Sequence, residues 1–118
     1  MRRLSLLSFS LLLMISNSAF SQCKNSIALK KAVSKNELTN NGVIEISVNS
    51  SEEYKYTLNI EEGSGTRQII EKNGKGNDVV KFEGLDASLL YLVQFEFLKE
   101  DKKHCKKLQL SQIVIEKE

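Results

Sequence analysis

The chain contains no proline and no tryptophan, a single histidine, two cysteines and two methionines. Each scarcity narrows the chemistry. One histidine, His104, cannot build a multi-histidine metal centre. A serine triad would have to use this same residue, and no nucleophile motif accompanies it. His104 and Cys105 are adjacent, and neighbours on a strand point to opposite faces. Neither a Cys–His catalytic dyad nor a shared metal site is expected, and no cofactor motif is in view. Gly74-Lys75-Gly76 lacks the surrounding P-loop pattern and a following helix, so it reads as a hairpin tip rather than a phosphate cradle. Without proline, exposed sheet edges must be guarded by charge, and lysine and glutamate are plentiful.

What is present at the start is a targeting pattern. Arg2 and Arg3 precede an apolar run, Leu4 to Ile15, and Ala19-Phe20-Ser21 offers small residues at the positions a signal peptidase inspects. Residues 1–21 are therefore expected to be a cleaved secretory signal, with Gln22 as the new N-terminus. The run is too short for a transmembrane helix, and no second one follows. Both signal arginines leave without an acid. The 17 basic and 15 acidic side chains of the whole sequence become 15 of each, a formal net charge of zero. That balance gives no reason to expect nucleic acid or an acidic membrane surface as partner.

Removing 21 of 118 residues leaves 97, enough for one small domain over 22–118. Cores of that size are marginal, and a covalent staple helps. Cys23 and Cys105 both survive cleavage, and an even cysteine count in an exported small domain favours a disulfide. The rival reading makes Cys23 a lipid-anchored N-terminus. Phe20-Ser21-Gln22 fits that poorly, because Gln22 is not the small residue wanted beside the cut.

The organising stretch is Gly84 to Phe97, a turn feeding a strand. Tyr91, Val93, Phe95 and Phe97 alternate with Leu92, Gln94 and Glu96, the mark of a half-buried strand. Further alternation predicts strands over 27–33 (Ile27, Leu29, Lys31 and Val33 on one face), 43–48 (Ile44, Ile46, Val48) and 54–60 (Tyr54, Tyr56, Leu58, Ile60). A weak edge strand is expected at 67–72, a loop at 73–78 and a short strand at 79–82. Lys99 to Lys107 reads as a charged connection. The last segment, 108–116, changes parity between Leu110 and Ile113, which a bulge near Ser111-Gln112 would repair. Seven short strands with turn signals between them predict an all-β, antiparallel sandwich.

The order of features resembles immunoglobulin-like and fibronectin type III sandwiches. Leu85, then six residues to Tyr91, then Val93, is similar to the E–F corner of that group, where a tyrosine hydroxyl bonds back to the turn. Gly42 to Val48, Tyr54-Lys55-Tyr56, the Leu85/Tyr91 corner, Asp101 and Cys105 also resemble single repeats of bacterial gliding-motility surface adhesins. The resemblance covers roughly 42–115. It lacks the core tryptophan, and Ala87 stands where a corner proline is usual. It implies that the start of the first strand and the last hairpin connection share one end of the domain, so a Cys23–Cys105 bridge would pin the N-terminus there.

The most suggestive surface is Lys99, Lys102, Lys103, His104, Lys106 and Lys107, offset only by Glu100 and Asp101. Glu52-Glu53 and Glu61-Glu62 read as solvated acids rather than a calcium loop. Together these features predict a non-enzymatic exported module of the bacterial envelope, in the periplasm or at the cell surface. Its partner would be another envelope or surface protein, met at the basic tip or at a sheet edge. A carbohydrate- or small-ligand-binding module is the alternative, and would need Tyr54 or Tyr56 on an exposed face.

Overall fold

The computed structural model describes residues 23–35 and 40–118. The expected signal segment, 1–21, and Gln22 lie outside the described residues. Eight strands follow in order: β1 (Ser26–Ser34), β2 (Gly42–Asn49), β3 (Glu53–Glu62), β4 (Gly65–Lys75), β5 (Asp78–Leu85), β6 (Leu90–Phe97), β7 (Lys107–Val114) and β8 (Glu116–Lys117). A single helical turn, α1 (Lys103–Lys106), precedes β7. The strands form two four-stranded sheets, ordered β5-β2-β1-β8 and β4-β3-β6-β7. The architecture is all-β, with the two sheets sharing one core.

That core follows from period-two alternation. Ile44, Ile46 and Val48 of β2, with Val80 and Phe82 of β5, face Tyr54, Leu58 and Ile60 of β3 and Tyr91, Val93, Phe95 and Phe97 of β6. Each fully buried large apolar side chain contributes about 1.5–3 kcal/mol relative to exposure. Aromatic contacts knit the layers. Tyr56 stacks on Phe95 at 5.3 Å between centroids and meets Phe82 of the other sheet edge-on at 5.9 Å. Tyr54 lies 5.4 Å from Phe97.

Three expectations about strands are corrected. Among the described residues the count is eight rather than seven, because the final segment divides, and β8 pairs with β1 in parallel rather than antiparallel. In β1 a bulge between Leu29 and Lys31 shifts the register, so Leu29 opposes Ile46 but Ala32, not Lys31 or Val33, opposes Ile44. A one-residue slip sends later side chains to the other face. Finally, β4 is not a short strand ending at Lys72. It runs eleven residues, pairing Gly74 with Tyr54 and Lys75 with Glu53, and the loop expected at 73–78 shrinks to Gly76-Asn77. Gly74 sits against the Tyr54 ring, where a β-carbon would stand 2.6 Å from a ring carbon.

The bulge expected near Ser111-Gln112 is present. The β6–β7 register shifts between Tyr91/Ile113 and Val93/Leu110, and Gln112 adopts φ 54°. Its amide donates to the Glu61 carboxylate, which reaches it from β3 at 2.6 Å. Leu92, which the shift leaves without a β7 register partner, accepts at its carbonyl from the Asn59 side-chain amide at 3.2 Å.

Candidate functional site

One end of the sandwich gathers the lead into β1 (residues 23–25), the β2–β3 loop, the β4–β5 turn and the β6–β7 connection. The hairpin registers dictate this: Ser26 lies opposite Asn49, Glu53 opposite Lys75, and Glu96 opposite Lys107. Cys23 and Cys105 meet here in a disulfide, with α-carbons 5.4 Å apart and a sequence separation of 82. That separation lies within the range a disulfide spans.

Beside the disulfide is a buried polar network that the sequence reading missed. Glu52, expected to be a solvated acid, is buried. One of its oxygens accepts from the Asn25 amide at 3.0 Å, and the other from the Lys99 backbone N–H at 2.7 Å. The Ser50 hydroxyl donates to Asn25 at 2.7 Å and accepts from the Glu52 amide at 3.1 Å. Asn77 accepts from the Ser50 amide at 2.8 Å. The Lys24 ammonium bridges Glu52 at 3.8 Å and Glu100 at 3.9 Å. Burial alone would raise the Glu52 carboxyl. The hydrogen bonds from Asn25 and Lys99, with the charges of Lys24 and Lys99, hold it below its ordinary value of 4.5. Four separate chain segments are thereby tied around one carboxylate. No sequence motif announces it, because its partners lie up to 47 residues away.

Above this network the surface is basic. Lys99, Lys102, Lys103, His104 and Lys107 are exposed, and Lys106 is half-buried. Lys103, Lys106 and Lys107 take part in none of the ion pairs among the described residues. Glu100, which the sequence reading counted as an offset to this charge, is buried, so Asp101 is the remaining exposed acid of the connection. The expectation that His104 and Cys105 diverge fails for a definite reason. Residues 103–106 form a helical turn, not a strand, and the Cys105 amide bonds back to the Lys102 carbonyl at 3.0 Å. The imidazole and both cysteine sulfurs consequently lie within 4.8 Å of one another.

The other predicted feature, the Leu85/Tyr91 corner, lies at the far end. Leu85 is buried, and the Tyr91 hydroxyl donates to the Asp86 carbonyl at 2.8 Å. Asp86 accepts in turn from the amide and hydroxyl of Ser88, at 2.9 and 2.6 Å. These bonds hold its carboxyl below the ordinary range. Tyr54 and Tyr56, which a glycan platform would need outside, belong to the core and its flank.

The structure thus defines a disulfide-closed, all-β sandwich with a basic end. No protein-family model matches the chain, and no curated protein is similar to it. Among the described residues, no helix is long and apolar enough to cross a membrane.

Proposed function

We propose that this protein is an exported, non-enzymatic interaction module of the bacterial envelope, an immunoglobulin- or fibronectin III-like sandwich whose basic end docks on an acidic surface of another envelope or surface protein. The observation that carries this reading is the arrangement of charge at the disulfide end. Its carboxylates Glu52 and Glu100 are withdrawn into the protein, while the lysines of the β6–β7 connection stay outside. A domain with balanced formal charge therefore presents one positive tip. The disulfide and the Glu52 network hold that tip rigid, which lowers the ordering cost of docking.

Support for the sandwich class comes from the strand order and from the Tyr91–Asp86 bond at the corner. Export is supported by the disulfide together with the leader pattern. The glycan-binding alternative lacks its platform, since Tyr54, Tyr56 and Tyr91 pack inward.

The test is capture of partners from native envelopes with mild cross-linking. Wild-type protein is compared with Lys103→Glu/Lys107→Glu and with a control of equal charge change, Lys30→Glu/Lys31→Glu on β1. The expected result is recovery of one envelope protein that is lost with the first variant, kept with the second, and weakened by salt. Equal recovery with both variants would overturn the basic-tip reading and direct attention to the long β4 edge.

A further inference from the structure

Three groups with soft-metal chemistry converge at the base of the basic tip. They are the sulfurs of Cys23 and Cys105 and the imidazole of His104, all within 4.8 Å of one another. We propose that, when the disulfide is reduced, Cys23, His104 and Cys105 form a three-coordinate site for a monovalent copper ion.

Geometry makes the first part of the case. Metal bonds of about 2.0 Å to imidazole and 2.3 Å to thiolate place the donor atoms of a trigonal site roughly 3.5–4 Å apart. The imidazole stands within 4.8 Å of both sulfurs, so a small turn of the ring closes the gap. The two sulfurs must separate, once their bond is broken. Cys23 lies on the short lead before β1, outside any regular element, whereas Cys105 is fully buried on α1. The movement thus falls on Cys23, within the play that the Lys24 and Asn25 contacts to Glu52 leave to the lead. His104 is exposed and its side chain has no hydrogen bond or ion pair among the described residues, so its ring is free to turn toward the sulfurs.

Charge and softness choose the metal. Two thiolates and one imidazole are soft to borderline donors, which favour monovalent copper or zinc over hard cations. With copper(I) the two thiolates leave a complex of net charge −1. With zinc the same donors give a neutral one. Lys99, Lys102, Lys103, Lys106 and Lys107 lie in the same connection as His104 and Cys105, and with Lys24 they outnumber Glu52, Glu100 and Asp101 at this end, a balance that favours the anionic complex.

The steps balance. A dithiol reductant passes two electrons and two protons to the Cys23–Cys105 bond and becomes a disulfide itself. Copper(I) then displaces the two thiol protons to solvent, with no change in its own oxidation state. In the oxidised protein the sulfurs have no thiolate charge to donate, so the site exists only after reduction.

The experiment uses the purified protein, reduced anaerobically and freed of reductant. It is titrated against copper(I) held by the colorimetric chelator bicinchoninate, with far-UV circular dichroism recorded at each step. The expected result is withdrawal of one equivalent by the reduced protein and none by the oxidised protein or by Cys23→Ser/Cys105→Ser. His104→Ala should weaken the affinity by at least about tenfold while still forming the disulfide in air. Failure to withdraw copper overturns the proposal. So does unchanged affinity in His104→Ala, which would mean two thiols acting alone. Displacement of copper(I) by equimolar zinc overturns the choice of metal. If reduction unfolds the chain, recovery of the β-sheet spectrum on adding copper supports the site, and failure to recover sinks it.

Discussion

At the disulfide end of the sandwich, four chain segments are drawn together by a covalent bond and by one buried carboxylate with partners far away in sequence. At the opposite end, the β5–β6 turn is held by one phenol hydroxyl on a carbonyl five residues upstream, and by Ser88 on Asp86. The first end closes a long loop and buries charge to do so. The second uses local bonds that form as soon as the turn forms. Long-range closure carries the larger entropic cost, and only there does a covalent link bring a large return. The same end carries the exposed lysines, so the covalently closed end is also the one proposed above to meet a partner.

The largest effect should therefore come from the disulfide. Cys23→Ser/Cys105→Ser should lower the free energy of unfolding by roughly 4 kcal/mol in the chain-entropy model, read from urea midpoints together with a steeper slope, because the unfolded chain is no longer cross-linked. A loss below about 1 kcal/mol would break the comparison. It would mean that the Glu52 network alone pins the lead into β1.

Glu52 supplies the next test. Glu52→Gln keeps the shape but removes the charge that Lys24 and the Lys99 amide address. A cost of about 1–3 kcal/mol is expected near neutral pH. The pH dependence gives a sharper readout. The folded carboxyl lies below its ordinary value of 4.5, so its stabilising contribution is present above that value. It is lost as the pH falls from there through the lowered folded value. Wild-type stability should fall on acidification across that window, and the Glu52→Gln profile should be flatter. Parallel profiles would show that Glu52 is not the acid-sensitive group of this end.

Gly74→Ala tests the same end from the side of packing. Its new β-carbon would meet the Tyr54 ring at 2.6 Å, and Tyr54 is anchored by its hydroxyl on the Gly76 carbonyl at 2.9 Å. Overpacking of this kind costs about 1–3 kcal/mol. The expected signature is a lowered midpoint with a near-UV spectrum changed by displacement of Tyr54. Wild-type stability would show that β4 yields, as an edge strand can.

These residues also show where reading the sequence succeeds. Alternation over Tyr54 to Ile60 and Tyr91 to Phe97 was legible because both strands are central in their sheet and carry one apolar face. The β7 bulge was legible because Leu110 and Ile113 break parity. The β1 bulge was hidden, since Leu29 and Val33 keep the same apparent parity on either side of it. Residues 73–75 read as loop because asparagine and glycine favour turns. Only pairing with β3, and the fit of the Tyr54 ring against Gly74, make them strand. At the candidate site the basic run was visible as composition. The burial of Glu52 and the approach of His104 to the sulfurs were not, because each depends on segments distant in sequence or on one turn of helix.

The smallest effect belongs to the far end. Tyr91→Phe removes the hydroxyl bond to the Asp86 carbonyl and leaves the ring in the core, so a cost of about 0.5–1.5 kcal/mol is expected. The acceptor is a backbone carbonyl, so the acid slope assigned to Glu52 should survive in this variant. Alkali should separate them instead. Burial, then the nearby Asp86 charge, pushes the Tyr91 hydroxyl above its ordinary value of 10.0, although its own bond to Asp86 opposes the shift. A group raised in the folded state contributes stability that is full below the ordinary value and is lost as the pH rises through the folded one. Tyr91→Phe should soften alkaline unfolding. It should not abolish it, because Tyr54 and Tyr56 are raised for the same first reason, burial. If Tyr91→Phe instead cost as much as breaking the disulfide, the corner would be a second long-range tie, and the contrast between the two ends would fail.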